Sequence, residues 1–431
     1  MISSKEQIIK YFEQGIKYEE DFKIGVEHEK FLFQNKDNKR VNYSKIKEMF
    51  LNLIEFGWNP VLEDKNIVGL NKEGKNITLE PGNQIELSGD KLTNIHEACA
   101  ESHKYLFELK QVVKKLDINI VSAGFDPISK LNDVPNNPKK RYELMTNDMP
   151  LGGALSLDMM YRTCGTQLNI DYSSEKDFIK KFKVINSIVP ITIALFANSS
   201  IVEKKNSGYL SYRSKVWQNT SRGGLPKIFL EELNFEKYAE FVINFPILFI
   251  KNGKEYISGK NYIFKDFIDG KISEIENRLP EESDLSTHLS TIFTENRLKK
   301  YIELRSMDTC GWDCLCAGPA FNIGILYGNL DEVYQLISKW DKDKIMNAYL
   351  EAPKKGFNTQ LMGKDLLYWA SNLLDLSKKG LEKRDILNKS KKNETIFLNH
   401  LKKVIQNKAT NADHMINKFS KNENLSALYD E

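Results

Sequence analysis

The chain has 431 residues, with 62 lysines and arginines against 59 aspartates and glutamates, for a formal net charge of +3. That balance gives no general attraction to nucleic acid or anionic lipid, and 41% hydrophobic with 28% charged residues is a globular composition. The longest apolar run, residues 188–197, falls well short of the ~20 residues needed to cross a bilayer.

Taken in chain order, residues 3–18 carry Ile8, Ile9, Phe12 and Ile16 at helical spacing. A strand is expected at 24–33, then a helix at 44–56 with Ser44 as N-cap. Residues 69–87 alternate with turn residues and read as a hairpin or short strand group. A long helix follows at 93–116, and the Asn- and Pro-containing stretch 131–150 reads as loop. The next expectations are a strand at 161–171, a buried helix at 178–197 and a long polar loop at 206–226. A strand at 298–308 precedes helices at 329–350, 364–379 and 394–407. Interleaving without regular βαβ alternation predicts an α+β fold, with an antiparallel or mixed sheet and helices on one side. The expected organisation is one catalytic domain over 1–431, with a mainly helical part at 329–431 packed on it.

The chemistry concentrates on strand faces. Glu27 and Glu29 are two apart in a strand, so both carboxylates point to one side. Two negative charges on a half-buried face repel, and burial penalises each further, so something positive must lie between them. Glu80 and Glu86 share a face if their segment is extended, and Glu303 and Arg305 share another. This acidity suggests a hard-metal site. Gln167, Asn169 and Asp171 line one side of their strand, as oxygen ligands and substrate contacts or as the wet face of an edge strand. His28 points away from Glu27 and Glu29 and reads as a hydrogen-bonded structural residue. The segment 69–76 resembles a phosphate loop but runs into strand, so it reads as a hairpin turn. Cys310, Cys314 and Cys316 lack the fourth ligand and spacing of a zinc site and read as a reduced thiol cluster. Arg141, Arg213 and Arg222 lie in loop-like segments where arginine suits a carboxylate or phosphate clamp. Five cysteines and an N-terminus without an apolar signal core give an expectation of cytoplasmic localisation.

Several stretches together resemble one family, the plant and proteobacterial glutamate–cysteine ligases. They include Gly25-Val-Glu-His-Glu-Lys-Phe31, Leu79-Glu-Pro-Gly-Asn-Gln-Ile-Glu-Leu-Ser-Gly89 and Leu157-Asp-Met-Met-Tyr-Arg-Thr-Cys164. Gln167–Glu175, Leu210–Ser214, His288–Phe293 and Arg297–Arg305 continue the pattern, and the resemblance spans roughly residues 20 to 385. The chain departs from it at Arg305-Ser-Met-Asp308, where the family has Arg-Gly-Ala-Asp, and in a shorter segment after Trp217.

The resemblance implies a glutamine-synthetase-like catalytic core, a curved and mainly antiparallel sheet with helices on its convex side. It implies ATP-dependent joining of the L-glutamate γ-carboxylate to L-cysteine through a γ-glutamyl phosphate, the first step of glutathione synthesis. The alternative is a carboxylate–amine ligase that uses glutamate with another amine. Glu27, Glu29, Glu80, Glu86, Gln167, Asn169 and Glu303 are expected to hold Mg²⁺. Arg305 and Glu303 are expected to act in catalysis, and Arg141, Arg213 and Arg162 to bind substrate. Cys99 and Cys316 match positions that carry a disulfide in plant members and are the expected redox pair. The expected partners are glutamate, cysteine and ATP, with no nucleic acid and no membrane, in a homodimer.

Overall fold

The computed structural model describes residues 1–312, 314–422 and 428–429. Its centre is a sheet of nine strands. In chain order these are β1 (Ile24–Gln34), β2 (Asn59–Glu63), β3 (Asn66–Lys72), β4 (Lys75–Leu79) and β5 (Ile85–Ser88). Then come β6 (Ile118–Val121), β7 (Gly165–Ile170), β8 (Asn296–Leu298) and β9 (Ile302–Asp308). The sheet runs β8-β9-β7-β1-β5-β4-β3-β2, with β6 added to the far end of β1. Every pairing is antiparallel. The segment 69–76 is the β3–β4 hairpin, with Glu73 and Gly74 both at positive φ in its turn.

Alternation divides each central strand between two environments. On β1, Ile24, Val26 and Leu32 join the apolar cores beneath the helices, with the neighbouring β7 and β9 supplying Leu168, Ile170, Ile302 and Leu304. Glu27 and Glu29 stand on the other side. His28 is buried among the core-facing residues, with its Nδ1 3.5 Å from Thr166 Oγ1, as expected of a structural histidine. Register carries the division across strands: Glu27 pairs with Gln167, Glu29 with Glu86, and Asn169 with Glu303. Directly paired residues share a face, so separate segments deliver their polar groups to one side.

Helices cover the opposite face. Glu175–Ser187 and Val189–Leu195 form where one buried helix was expected, because Pro190 has no N–H to continue the first. The expected helix at 329–350 is likewise two, Leu330–Ile337 and Lys342–Lys355, the second capped by Asp341. Together with Leu366–Arg384 and Asn399–Asn407 they pack into the same apolar core.

Three segments differ from expectation where they approach the site. Residues 131–150 contain the helix Lys140–Asp148, which buries only Tyr142 and Met145 and so has a faint apolar stripe. Residues 206–226 contain the short helix Tyr212–Trp217, started by Ser211 Oγ accepting from the Ser214 N–H at 3.2 Å. The strand expected from 161 begins at Gly165, because the helix Ser156–Arg162 precedes it.

The thiol cluster also divides. Cys316 is disulfide-bonded to Cys99, with their Cα atoms 5.6 Å apart, and Cys310 pairs with Cys314.

Candidate active site

One cavity of about 240 Å³ opens on the acidic face. Glu27, Glu29, Glu80 and Glu86 form an acidic part of its wall, and Arg141, Arg213, Arg297 and Arg305 a basic part. Met145, Met159, Met160, Trp217, Phe249 and Phe293 supply its apolar lining.

The acidic wall is built by strand pairing and one tight turn. Glu29 accepts from the Gly165 N–H at 2.5 Å and from Gln167 Nε2 at 2.8 Å, while Glu27 accepts from Asn169 Nδ2 at 2.7 Å. Glu86 accepts from Thr78 Oγ1 at 3.1 Å and Ser88 Oγ at 2.7 Å. Glu80 reaches the cavity by another route than extension. The chain turns back between Glu80 and Gln84, with the Glu80 N–H 2.9 Å from the Gln84 carbonyl and Asn83 at φ 60°. Gly82 is required in this turn, since a Cβ would sit 2.6 Å from the Tyr161 carbonyl oxygen. Arg40, ion-paired with buried Asp126 at 2.9 Å, donates to the Gly82 carbonyl and pins the turn.

Crowding these carboxyls together has an electrostatic cost. Burial first, then repulsion from Glu86 and Glu303, raises Glu27 from 4.5 to about 7. Burial, with repulsion from Glu86 and Glu80, holds Glu29 well above the ordinary carboxylate range. Glu86 is raised by burial and by Glu80. A ligand-free wall therefore retains protons that a cation would displace.

The basic wall comes from β8, β9 and the helices Lys140–Asp148 and Tyr212–Trp217. β9 pairs with β7 in shifted register between Leu304 and Met307, a bulge that re-aims side chains. Arg305 Nη1 donates to Gln167 Oε1 at 2.9 Å and also contacts Glu303. Arg213 and Arg305 both lie over the Trp217 ring, at 5.2 and 5.3 Å. Arg213 Nη2 donates to the Arg305 carbonyl at 2.7 Å, while its Nε and Nη1 have no hydrogen-bond partner. Gly165 makes room for that guanidinium, because a Cβ there would lie 2.8 Å from Arg213 Nη2. Arg141 rests over Tyr142 at 4.9 Å.

Not every expected residue is in the lining. Glu303 stands behind it, with its oxygens taken by Arg297 at 2.8 and 3.0 Å, by Lys299 at 3.2 Å and by Arg305. These cations hold its carboxyl well below the usual range against the effect of burial. Glu303 is thus the counter-ion of the arginine wall, where a free metal ligand was expected. Asn169 also lies behind the lining, against Glu27, with its Oδ1 buried and unpartnered.

Arg162 is removed from the site altogether. It ends a helix rather than opening a strand, pairs with Asp158 at 2.9 Å and Glu203 at 3.3 Å, and covers Phe125. Arg222 is a buried brace, donating to the Thr291 and Pro246 carbonyls at 3.0 and 2.8 Å. Residues missed by sequence include Arg297, Gln84 and Trp217. Gln84 donates to the Met160 and Thr163 carbonyls at 3.1 and 3.2 Å, while its buried Oε1 has no partner.

Hard oxygen donors and guanidiniums around one cavity suit a divalent cation and a polyanionic phosphate chain, with arginines left to hold carboxylates. Similarity to known proteins agrees with that chemistry. The chain is 39% identical over 419 residues to the chloroplastic glutamate–cysteine ligase of Nicotiana tabacum, covering 96% of this chain and 79% of that protein. It is 38% identical over 420 residues to the chloroplastic glutamate–cysteine ligase B of Oryza sativa subsp. japonica, covering 96% and 84%. Among solved structures it resembles the glutamate–cysteine ligase of Francisella tularensis in complex with AMP. There the TM-score is 0.54 at 15% identity, covering 94% of this chain and 86% of that one, a likeness of fold alone.

Fold and site are therefore those of a ligase enzyme. Residues 23–431 match the model described as glutamate-cysteine ligase family 2, and the chain belongs to that family. The expectation of cytoplasmic localisation does not stand, because the plant relatives are named chloroplastic. Cysteine count and the absence of an apolar N-terminal core do not distinguish reducing compartments.

Proposed function

We propose that this cavity joins the γ-carboxylate of L-glutamate to the amine of L-cysteine at the expense of ATP, yielding γ-glutamylcysteine, ADP and phosphate. This is the first step of glutathione synthesis. The observation that carries the reading is the gathering of four carboxylates and four arginines around one cavity, in a chain of this family. The sheet is read as a glutamine-synthetase-like core, its acidic face concave toward nucleotide and its helices on the convex side. The chain is read as one catalytic unit, with 329–431 packed on it; the antiparallel order and the shared apolar core support this.

The donor set fits Mg²⁺: carboxylates from two strands, β1 and β5, and the turn before β5, with a buried amide oxygen of Asn169 lacking any partner. Glu27, Glu29, Glu80 and Glu86 would hold it, with Gln167 and Asn169 beside them. Bound there, the ion would neutralise phosphate oxygens and supply the charge that the acidic wall lacks. A γ-carboxylate is a poor electrophile, and attack on the γ-phosphate of ATP turns it into an acyl phosphate that the cysteine amine can displace. Arg305 and Arg297 face the transferring phosphoryl group, and Glu303 fixes both guanidiniums in place. Arg213 and Arg141 bind substrate carboxylates, and Trp217 holds the Arg213 and Arg305 planes apart at a set spacing. The methionine and aromatic lining limits water near the acyl phosphate.

The test is ADP release with ATP, Mg²⁺ and glutamate, alone and with each of a panel of amines. Release that accelerates with cysteine and yields γ-glutamylcysteine supports the reading. Preference for another amine would assign the chain to the wider carboxylate–amine ligase class, and release indifferent to glutamate would overturn the proposal.

A further inference from the structure

A second group of metal-ligating side chains lies on the other face of the sheet. Cys316 alone, in its loop with Cys310 and Cys314, lacks the ligands of a zinc site. The fold supplies them from the helix Ile95–Lys115. Cys99 on that helix meets Cys316, and His103 stands one turn further along, with its Nδ1 3.4 Å from Cys99 Sγ. Ligand atoms of Cys99, His103 and Cys316 all lie within 4.8 Å of one another. His103 Nδ1 is also 2.7 Å from the Cys99 carbonyl oxygen. The Trp312 ring lies 5.2 Å from the imidazole, tilted against it. All three side chains line a cavity of about 340 Å³, and His400 lines it as well.

We propose that reduction of the Cys99–Cys316 disulfide converts this cluster into a site for a thiophilic d¹⁰ cation such as Zn²⁺, with Cys99, Cys316 and His103 as ligands. Two thiolates and one imidazole supply three of the four positions of a tetrahedral zinc site, and water can take the fourth. The disulfide and the cation compete for the same two sulfurs, so each state excludes the other. Reduction by a phosphine in water places two electrons and two protons on the sulfurs, and the phosphine becomes its oxide with oxygen from water. The thiol protons then leave as the cation binds. Cys99 and Cys316 pack with Ile85 and Leu87, whose side chains point away from that of Glu86 between them. The new site and the catalytic cavity therefore occupy opposite faces of β5.

The test uses full-length protein reduced with a phosphine and then titrated with Cd²⁺, following ultraviolet thiolate-to-metal charge transfer, with Zn²⁺ as competitor. The proposal expects one saturable equivalent displaced by Zn²⁺, retained when Cys310 and Cys314 are both changed to Ser. It expects no such signal in the oxidised protein or in Cys316→Ser. His103→Ala, at a residue outside the disulfide, should weaken binding roughly tenfold or more. Absence of saturable binding in the reduced protein would overturn the proposal. So would a signal that survives Cys316→Ser, vanishes with Cys310 and Cys314, or ignores His103→Ala.

Discussion

Replacing Glu86 by Gln should make the ligand-free protein more stable at pH 8 while abolishing turnover. The swap is nearly isosteric, and Thr78 and Ser88, which donate to one Glu86 oxygen at 3.1 and 2.7 Å, can donate to the Gln carbonyl instead. What disappears is a charge that contributes, after burial, to raising both Glu27 and Glu29. Glu27 rises from 4.5 to about 7, which at 1.36 kcal/mol per pH unit is worth about 3 kcal/mol. That is an upper bound, because Glu27 is only half-buried in the cavity wall and solvent screens it. The sign follows from proton uptake. Between pH 4.5 and 7 the folded chain holds a proton on Glu27 that the unfolded chain has released, so stability falls as pH rises through that window and levels off above it. Relief of the Glu86 share should return about 1–2 kcal/mol at pH 8 and little at pH 5, where Glu27 is itself protonated and feels no repulsion. Urea unfolding of both proteins at the two pH values, without Mg²⁺ or nucleotide, measures this directly. ADP release by the variant should fall roughly 100-fold or more. A variant no more stable than the parent at pH 8, or equally stabilised at both pH values, would refute the electrostatic reasoning.

Three other substitutions separate the roles assigned above. Arg213→Lys keeps the charge but loses the planar fork, so the KM for an amino-acid substrate should rise about tenfold with kcat less affected; unchanged KM values for glutamate and cysteine would exclude Arg213 from substrate binding. Arg162→Ala should cost about 3 kcal/mol of stability through loss of its buried pairing with Asp158, leaving KM for all three substrates unchanged in steady-state assays. Gly82→Ala forces a Cβ to within 2.6 Å of the Tyr161 carbonyl, and thermal unfolding should show a loss of about 1–3 kcal/mol together with lower activity, as the turn carrying Glu80 and Gln84 shifts.

The acidic wall was legible because a strand's two-residue period puts Glu27 and Glu29 together whatever the strand pairs with. Glu80 lines the same cavity by a route the sequence did not show: a pinned turn, not an extended chain, carries it there. The arginine wall was harder to read, since its members depend on tertiary register. Arg297 meets Glu303 only because β8 and β9 form a hairpin whose turn contains no Gly or Pro to announce it. The spacing of Arg297, Lys299, Glu303 and Arg305 was the available signal. Arg213 and Trp217 are four apart, one helical turn, but the short helix between them was hidden in a polar stretch. Arg162 failed because one residue at a helix–strand boundary decides which way a side chain faces. The Cys99–Cys316 pairing came through resemblance alone, as a sequence separation of 217 leaves no local trace.

The most direct test of the account follows an oxygen atom. Glutamate labelled with ¹⁸O in its γ-carboxylate, turned over with ATP, Mg²⁺ and cysteine, should pass one labelled oxygen to the released inorganic phosphate for each γ-glutamylcysteine formed. Phosphate without the label, alongside product formation, would mean that the γ-carboxylate is not activated by phosphoryl transfer in this cavity.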